Sequence, residues 1–479
     1  MTVQAAAKLI SVNRDAQTML KLTPMTDSPA GTNVAFPGLC RWVRARMNAR
    51  RSKGTAAVLG DWGRRFALAT LICAGAPISA WAQPVELGAS VETLLDLARA
   101  QSPDLAAMRY EADAAAQRVQ PAGALADPVL RVELEDIGRG SGSNPLPTRI
   151  GATKYTLMQP LPAWGKRDLR REVAAADAAQ SSARAAASWT ELAARIKTAY
   201  ARYYLAAGTE RLTLEILDLN SRLEQIAQAR YAGGLAAQQD AIRAQVEQTA
   251  LRSELIALDS EKRQLRVRLN ALLAREGTAP LAEPRALRPL PAQTVFDAPA
   301  IAERARAVNP LLLAEEARLR GAEKNRELTL RNRYPDFLVG VSPTQTGSRI
   351  SSWGVMFEMN IPLQQATRRA QENEAEAMIG AARSRVQALA NQLLGELAEN
   401  LAGIDAARRT EALATTQLLP QSELSLRSAL AAYENGRVDF ATLLDAQRQI
   451  RKARQDRLKA QVEGQLRLAE IERILGEDL

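Results

Sequence analysis

Apolar and polar positions divide the chain into long helical stretches interrupted by short alternating segments. Residues 90–125 and 297–333 carry helical patterns, punctuated by Pro103 and Pro310, with Ser90 and Asp297 as N-cap types at their starts. Alternation follows each stretch. In the first, Leu130, Val132 and Leu134 alternate with Arg131, Glu133 and Glu135. In the second, Phe337, Val339 and Val341 precede Trp353, Val355, Phe357, Met359 and Ile361, which alternate with Gly354, Met356, Glu358 and Asn360. Tyr155 and Leu157 are a weaker case. Turn-rich segments at 138–148 and 343–352 join each pair, so the pattern predicts two β-hairpins with strands of about ten residues. That is the length of a tilted transmembrane β-strand; it also suits an ordinary half-buried hairpin.

The remaining segments read as long helices. Residues 166–231 contain no proline and would span roughly 99 Å at ~1.5 Å per residue. Within them Leu212, Ile216, Leu219, Leu223 and Ile226 step by four and three, as a coiled-coil seam does. The chain turns at Gly233-Gly234 and returns through residues 235–273, roughly 58 Å, while 90–125 supplies roughly 54 Å. Two short helices laid end to end therefore match one long helix. The second half repeats this with 368–433 and 438–475, where Pro420 predicts a kink.

The halves are related in detail. Ser102-Pro103 recurs as Asn309-Pro310 and Asp127-Pro128 as Tyr334-Pro335, both 207 residues on. Pro160-Leu161, Lys166-Arg167, Tyr231-x-x-Gly234 and Ala244-Gln245 recur 202 residues on as Pro362-Leu363, Arg368-Arg369, Tyr433-x-x-Gly436 and Ala446-Gln447. A register held from Pro160 to Gln245 reads as a tandem duplication. The expected organisation is a leader at 1–82, a first repeat at 83–278, a Pro-rich linker at 279–296 and a second repeat at 297–479.

Charge and composition then remove alternatives. The formal net charge of +10 invites a nucleic-acid reading, but 1–82 hold eleven of the 63 Lys and Arg and only three of the 53 Asp and Glu. The rest is close to neutral and has no basic stripe, so no nucleic-acid partner is expected. Phe66–Ala82 is a short apolar run behind Arg64-Arg65 that ends in Ala80-Trp81-Ala82, which reads as a secretory signal cleaved after Ala82. Met47 would make a more ordinary start, leaving 1–46 as a mis-called extension. Cys73 lacks a small residue before it, so no lipidation is expected there. Cys40 and Cys73 are the only cysteines and His is absent, so the exported chain would hold no Cys or His. Metal ligation would be left to methionines such as Met108, Met158, Met356 and Met359, which read as lipid-facing or packing residues; no metal site and no cofactor are expected. No nucleophile–base set or phosphate loop is present, so no enzyme is expected.

Four strands cannot close a membrane barrel and lipid does not tolerate an open edge, so spanning strands must be pooled among copies. Three copies would supply twelve strands; four copies are not excluded by this argument.

The duplicated plan resembles the TolC-type outer-membrane efflux channels. The residues that carry the likeness are Met158-Gln-Pro-Leu-Pro-Ala-Trp-Gly-Lys-Arg167, Asn360-Ile-Pro-Leu363 and Tyr433-Glu-Asn-Gly-Arg-Val-Asp-Phe-Ala-Thr-Leu-Leu-Asp-Ala-Gln447. The wording of the first and last looks most like the heavy-metal (cobalt–zinc–cadmium or copper–silver) branch. The resemblance implies a mostly α fold with a β membrane portion: a trimeric twelve-strand outer-membrane β-barrel continued by a long periplasmic α-helical barrel. It implies the outer membrane of a Gram-negative bacterium and a homotrimer surrounded by lipid. Its partners would be a periplasmic membrane-fusion adaptor and an inner-membrane RND pump. The function implied is a passive exit duct of a tripartite system, carrying heavy-metal cations or, alternatively, drugs and organic solutes. A periplasmic coiled-coil adaptor is the rival reading, although adaptors usually carry one helical hairpin between β-domains.

Site residues follow from the same likeness. Leu130, Val132, Leu134, Phe337, Val339, Val341, Trp353, Val355 and Phe357 would face lipid. The adaptor-docking tips would be the turns at Tyr231, Gly234, Tyr433 and Gly436, whose glycines an αα-hairpin turn already explains and whose tyrosines suit packing. Asp240 and Asp445 fall where the family narrows its entrance, and three-fold symmetry would make each a ring of carboxylates. Asp240 equally suits a solvated position near a helix start. Some members carry an arginine two residues after the second glycine; Val438 stands there, so an ionic lock would be absent or rebuilt from Arg437 and Asp439.

Overall fold

The computed structural model describes residues 86–138 and 149–479. The leader, its signal segment and the first hairpin's turn lie outside them. The chain opens with α1 (Val91–Gln101) and α2 (Pro103–Ala122), followed by β1 (Val129–Gly138), β2 (Arg149–Leu161), α3 (Lys166–Ala232) and α4 (Gln238–Leu272). After the linker and a short 3-10 turn at Gln293–Phe296 the same order recurs: α5 (Ala298–Val308), α6 (Pro310–Arg331), β3 (Phe337–Thr346), β4 (Arg349–Met359), α7 (Gln365–Leu413), α8 (Leu419–Glu434) and α9 (Phe440–Leu475).

Local chemistry sets the helix boundaries. Pro103 and Pro310 occupy first helical positions, where a missing N–H costs nothing. Ser102 and Asn309 cap them: Ser102 Oγ accepts from Leu105 N at 3.4 Å and Asn309 Oδ1 from Leu312 N at 2.9 Å. Ser90 and Asp297 do hold the N-cap positions of α1 and α5, but their side chains make no capping bond. α3 runs unbroken for 67 residues, roughly 100 Å. Its counterpart is interrupted by a π turn at Ala414–Leu418, directly before Pro420. Widening one turn makes room for a proline that lacks an N–H, so the helix continues.

α3 is the spine of the first half. Val91, Leu94 and Ala98 of α1, Leu265, Leu269 and Leu273 at the end of α4, and Leu281 of the linker converge on Ile196, Tyr200 and Tyr203 halfway along it. The opening helices thus cover one half of α3 and the return helix the other. A matching core joins Ile301, Ala305 and Leu312 to Leu393, Leu397 and Ile404 of α7 and to Leu468, Ile471 and Ile474 of α9. The linker bridges the two cores, Leu281 and Leu287 packing into the first and Leu290 into the second. It is tied to the first half by Ala282 N donating to Leu87 O at 2.9 Å and by Lys262, ion-paired to Glu283 and Glu210.

The predicted seam on α3 is shifted. Leu212, Ile216 and Leu223 are buried, but the line continues through Asn220 and Ala227, leaving Leu219 and Ile226 only half-buried. Asn220 Nδ2 donates to the Ala244 carbonyl of α4 at 3.2 Å, so a polar residue occupies a seam position on a backbone contact.

The four strands form one antiparallel sheet in the order β1-β2-β3-β4, so the hairpins of the two halves pair through β2 and β3. The second turn is shorter than 343–352: β3 and β4 pair out to Thr346 and Arg349 and turn tightly at Gly347, with φ +62°. Pro343 is therefore a strand residue.

Candidate functional site

At the ends of α3 and α8 remote from the sheet, both helical hairpins turn through Tyr-x-x-Gly in the same geometry. Gly234 N donates to Tyr231 O at 2.9 Å and Leu235 N to Arg230 O at 2.8 Å; Gly436 N donates to Tyr433 O at 3.0 Å and Arg437 N to Ala432 O at 2.9 Å. Gly234 and Gly436 sit at φ +69° and +68°, the left-handed conformation that ends such helices.

The two tyrosines then differ. Tyr231 is half exposed, whereas Tyr433 is buried among Leu223, Ala227, Ala244, Phe440 and Leu443. The Tyr433 ring meets Phe440 edge-on at 5.4 Å, and its hydroxyl donates to Asp240 Oδ2 at 3.3 Å. Burial, and then the charge of Asp240, push the Tyr433 phenol up to about 12. Arg230 closes the arrangement from α3. Its guanidinium lies 5.0 Å from the Tyr433 ring centroid, and it donates to Glu434 O at 2.5 Å and to Leu235 O at 3.2 Å. One cation thus binds a carbonyl at the tip of each hairpin, and the tips are latched by Arg230 and Asp240 on one side and Tyr433 and Glu434 on the other.

The other gate candidates are placed differently. Asp439 is the N-cap of α9, where Oδ1 accepts from Thr442 N at 3.0 Å and from Thr442 Oγ1 at 2.5 Å. Those bonds hold its carboxyl below the usual range. Arg437 is exposed, and no ion pair joins it to Asp439 among the described residues. Asp445 is 69% exposed and only 3.8 Å from Arg448, which makes its closer bond to Glu247 of α4 at 2.6 Å. Asp240 is therefore drawn into the tip latch while Asp445 projects from α9. Arg230 was not singled out from the sequence. The available signal was a basic residue in the last turn of a long helix, which suits bonding to its own terminal carbonyls but does not announce a partner 204 residues away.

At the opposite end, the sheet aligns the alternating residues across strands. Leu130 pairs with Leu157, Leu157 with Val341 and Val341 with Val355; Val132 pairs with Tyr155, Val339 with Phe357, and Pro343 with Trp353. Phe337 and Phe357 stack at 5.6 Å. All nine residues expected on the lipid side share this face. Arg131, Glu133, Lys154, Thr156, Ser342, Gly354, Met356 and Glu358 share the other, so Met356 and Met359 do look opposite ways. Burial is the reverse of what a water-soluble hairpin needs. The apolar face is largely bare, Val355 being 87% exposed and only Phe337 and Val339 of the nine half-buried, whereas Thr156, Met158 and Ser342 on the other face are buried.

Among the described residues no group of three or more His, Cys, Asp or Glu is arranged to hold a metal, and no helix is long and apolar enough to cross a membrane.

With this geometry in place, the sequence matches the outer membrane efflux protein family over residues 94–275 and again over 301–477. The chain belongs to that family. Solved structures share the fold: the outer-membrane channel OprN (20% identity, TM-score 0.69, covering 81% of this chain and 89% of that one), the outer membrane protein VceC of Vibrio cholerae (16%, 0.69, 81% and 96%), and CusC (18%, 0.69, 81% and 92%). No curated relative matches the sequence. The fold is accordingly that of an outer-membrane efflux channel, mostly helical with a small sheet.

Proposed function

We propose that three copies of this chain pool their sheets into a twelve-strand barrel in the outer membrane, continued by an α-helical duct through the periplasm. The duct is the passive exit of a tripartite efflux system and receives substrate from an inner-membrane RND pump through a periplasmic adaptor. The observation that carries this reading is the exposed apolar face of a sheet whose two edges, β1 and β4, are unpaired among the described residues. In water such a face and such edges would aggregate; in lipid the face is stabilised, and the edges must be closed by neighbouring copies.

The helix tips are the periplasmic entrance and the adaptor contact, with Tyr231, Gly234, Tyr433 and Gly436 forming the turns. The Tyr433–Asp240 bond and the Arg230 bridge keep the two tips of each copy together, which favours a narrowed entrance. Asp445 of three copies adds a carboxylate ring that attracts cations. The heavy-metal wording of the Met158–Arg167 and Tyr433–Gln447 segments favours metal cations as cargo, selected by the pump. Fractionation tests the channel itself: a heat-modifiable trimer in the outer-membrane pellet is expected, and release with the periplasmic contents would favour the adaptor reading. Sensitivity of a deletion strain to metal salts against drugs tests the cargo.

A further inference from the structure

The junction between the sheet and the helices holds a set of residues that neither the duct nor the gate uses. Trp164 lies between β2 and α3, three residues beyond Leu161 of the apolar face, and is 97% exposed. Next to it, a Cβ built on Gly165 would lie 3.9 Å from Arg331 Nε, so the last turn of α6 abuts the start of α3. The Arg331 guanidinium stacks over Tyr334 at 5.7 Å from the ring centroid, and Tyr334 is itself exposed. Arg170, one turn into α3, is close enough to draw down the Asp336 carboxyl.

The carboxylates in reach are engaged elsewhere. Asp336 bonds Lys166 at 2.8 Å, Asp168 bonds Arg171 at 3.3 Å, and Glu372 pairs with Arg333. Among the described residues Arg170 and Arg331 have no acidic partner within ion-pair distance. Two exposed guanidinium groups, Arg331 over Tyr334 and Arg170 with only the longer-range charge of Asp336, therefore sit near Trp164 where the apolar face ends.

We propose that this junction binds the phosphate of a phospholipid headgroup in the periplasmic leaflet of the membrane. This rests on the reading of the sheet as membrane-spanning. Guanidinium matches a phosphodiester with two parallel hydrogen bonds. Trp and Tyr suit the layer where acyl chains give way to headgroups, being apolar in body and polar at the tip. The lipid is specified by both features together: the arginines take the phosphate, and Trp164 and Tyr334 lie against its glycerol and upper acyl chains.

The test uses the purified full channel in a neutral detergent, titrated with phosphatidylglycerol while bound lipid is counted by native mass spectrometry. Each of R170Q and R331Q is expected to weaken retention roughly fivefold, whereas R385Q and R427Q, at exposed positions remote from the sheet, leave it unchanged. Equal losses in both pairs would overturn the site. W164A, at a position that buries nothing, is expected to weaken retention without touching the fold, and it carries the test if an arginine variant does not assemble. Inorganic phosphate at the same concentration is expected not to displace the lipid; displacement would make this a free-anion site and end the lipid assignment. In vesicles brominated along the acyl chains, Trp353 fluorescence, read as the difference from W353F, separates the two levels. Unquenched Trp353 would remove the membrane reading itself, while quenched Trp353 with unaltered lipid retention in the arginine variants would remove only the headgroup site.

Discussion

Lys166 Nζ donates to Asp336 Oδ1 at 2.8 Å, across 170 residues of sequence. The same oxygen accepts from Ala163 N at 2.8 Å, and Lys166 also donates to Tyr334 O at 2.9 Å. Lys166 opens α3 and Asp336 precedes β3, so this knot ties the strand–helix junctions of the two halves and sets how the sheet leaves the helices. The ammonium is almost completely buried, at 3% exposure, whereas Asp336 is 43% exposed. Asp336→Ala would leave the ammonium with one carbonyl. A loss of about 2 kcal/mol is expected, below the range for a fully buried pair because water reaches the acid. Thermal unfolding of the assembled channel measures it, and a variant as stable as the wild type would show that the knot is incidental.

The same pair predicts a pH dependence. Burial would raise the Asp336 carboxyl, but the bonds from Lys166 and Ala163 and the nearby charges of Lys166 and Arg170 outweigh it and hold it below the usual carboxylate range. Its folded value lies below its unfolded one. The stabilisation is therefore present above the ordinary carboxylate pKa and is lost as pH falls through the lowered value. The gap in melting temperature between wild type and Asp336→Asn is expected to be full at neutral pH and to close on strong acidification. A gap that stays constant would mean the charge is irrelevant.

Val355 gives the sharpest choice between lipid and water around the sheet. At 87% exposure within the chain it touches almost nothing, so Val355→Arg is harmless if this face meets solvent. If the face meets acyl chains, the same change costs about 2–4 kcal/mol near mid-membrane and less toward either surface. Reduced recovery of heat-modifiable trimer from outer membranes is expected, with Glu358→Gln on the opposite face as the tolerated control. Normal recovery of Val355→Arg would count against a lipid-facing sheet.

How much of this was readable beforehand depends on the range of the interaction involved. α3 was legible because no proline interrupts residues 166–231, and the apolar face because alternation is a local signal. The tight turn at Gly347 was not, because Pro343 looked like a turn residue. It stands where the β2–β3 ladder lapses between Lys154–Thr344 and Leu157–Val341, a place where a missing N–H is tolerated. The seam through Asn220 was hidden because its partner is a backbone carbonyl on α4. The tip turns were visible in Tyr-x-x-Gly, but Arg230 was not, since its role exists only once the two halves lie side by side.

Two substitutions separate the tip latch from the carboxylate ring. Tyr433→Phe keeps the packing against Phe440 and deletes only the bond to Asp240, so a stability loss of about 1 kcal/mol is expected together with raised conductance in planar bilayers. The phenol keeps its proton until about 12, so wild-type conductance should not change between neutral pH and pH 10 on account of this group. Asp445→Ala touches no packing, being exposed and only loosely paired to Arg448. Raised conductance with unchanged melting is expected; unchanged conductance would remove Asp445 from the gate.

Gly234 and Gly436 make a matched pair that isolates the contribution of Arg230. Both hold φ near +69°, so alanine at either should cost on the order of 1 kcal/mol in backbone strain. Their surroundings differ. A Cβ at Gly234 meets nothing within 4 Å, whereas one at Gly436 comes within 3.1 Å of Arg230 Nη2. Gly436→Ala must shift Arg230 Nη2, which bonds the Leu235 carbonyl, by a few tenths of an ångström and so loosens the guanidinium's hold on both tips, while Gly234→Ala leaves it in place. Similar small losses in melting temperature are therefore expected for the two variants, with raised conductance only in Gly436→Ala. If both variants conduct alike, Arg230 does not hold the tips together, and strain at the turns accounts for any change seen.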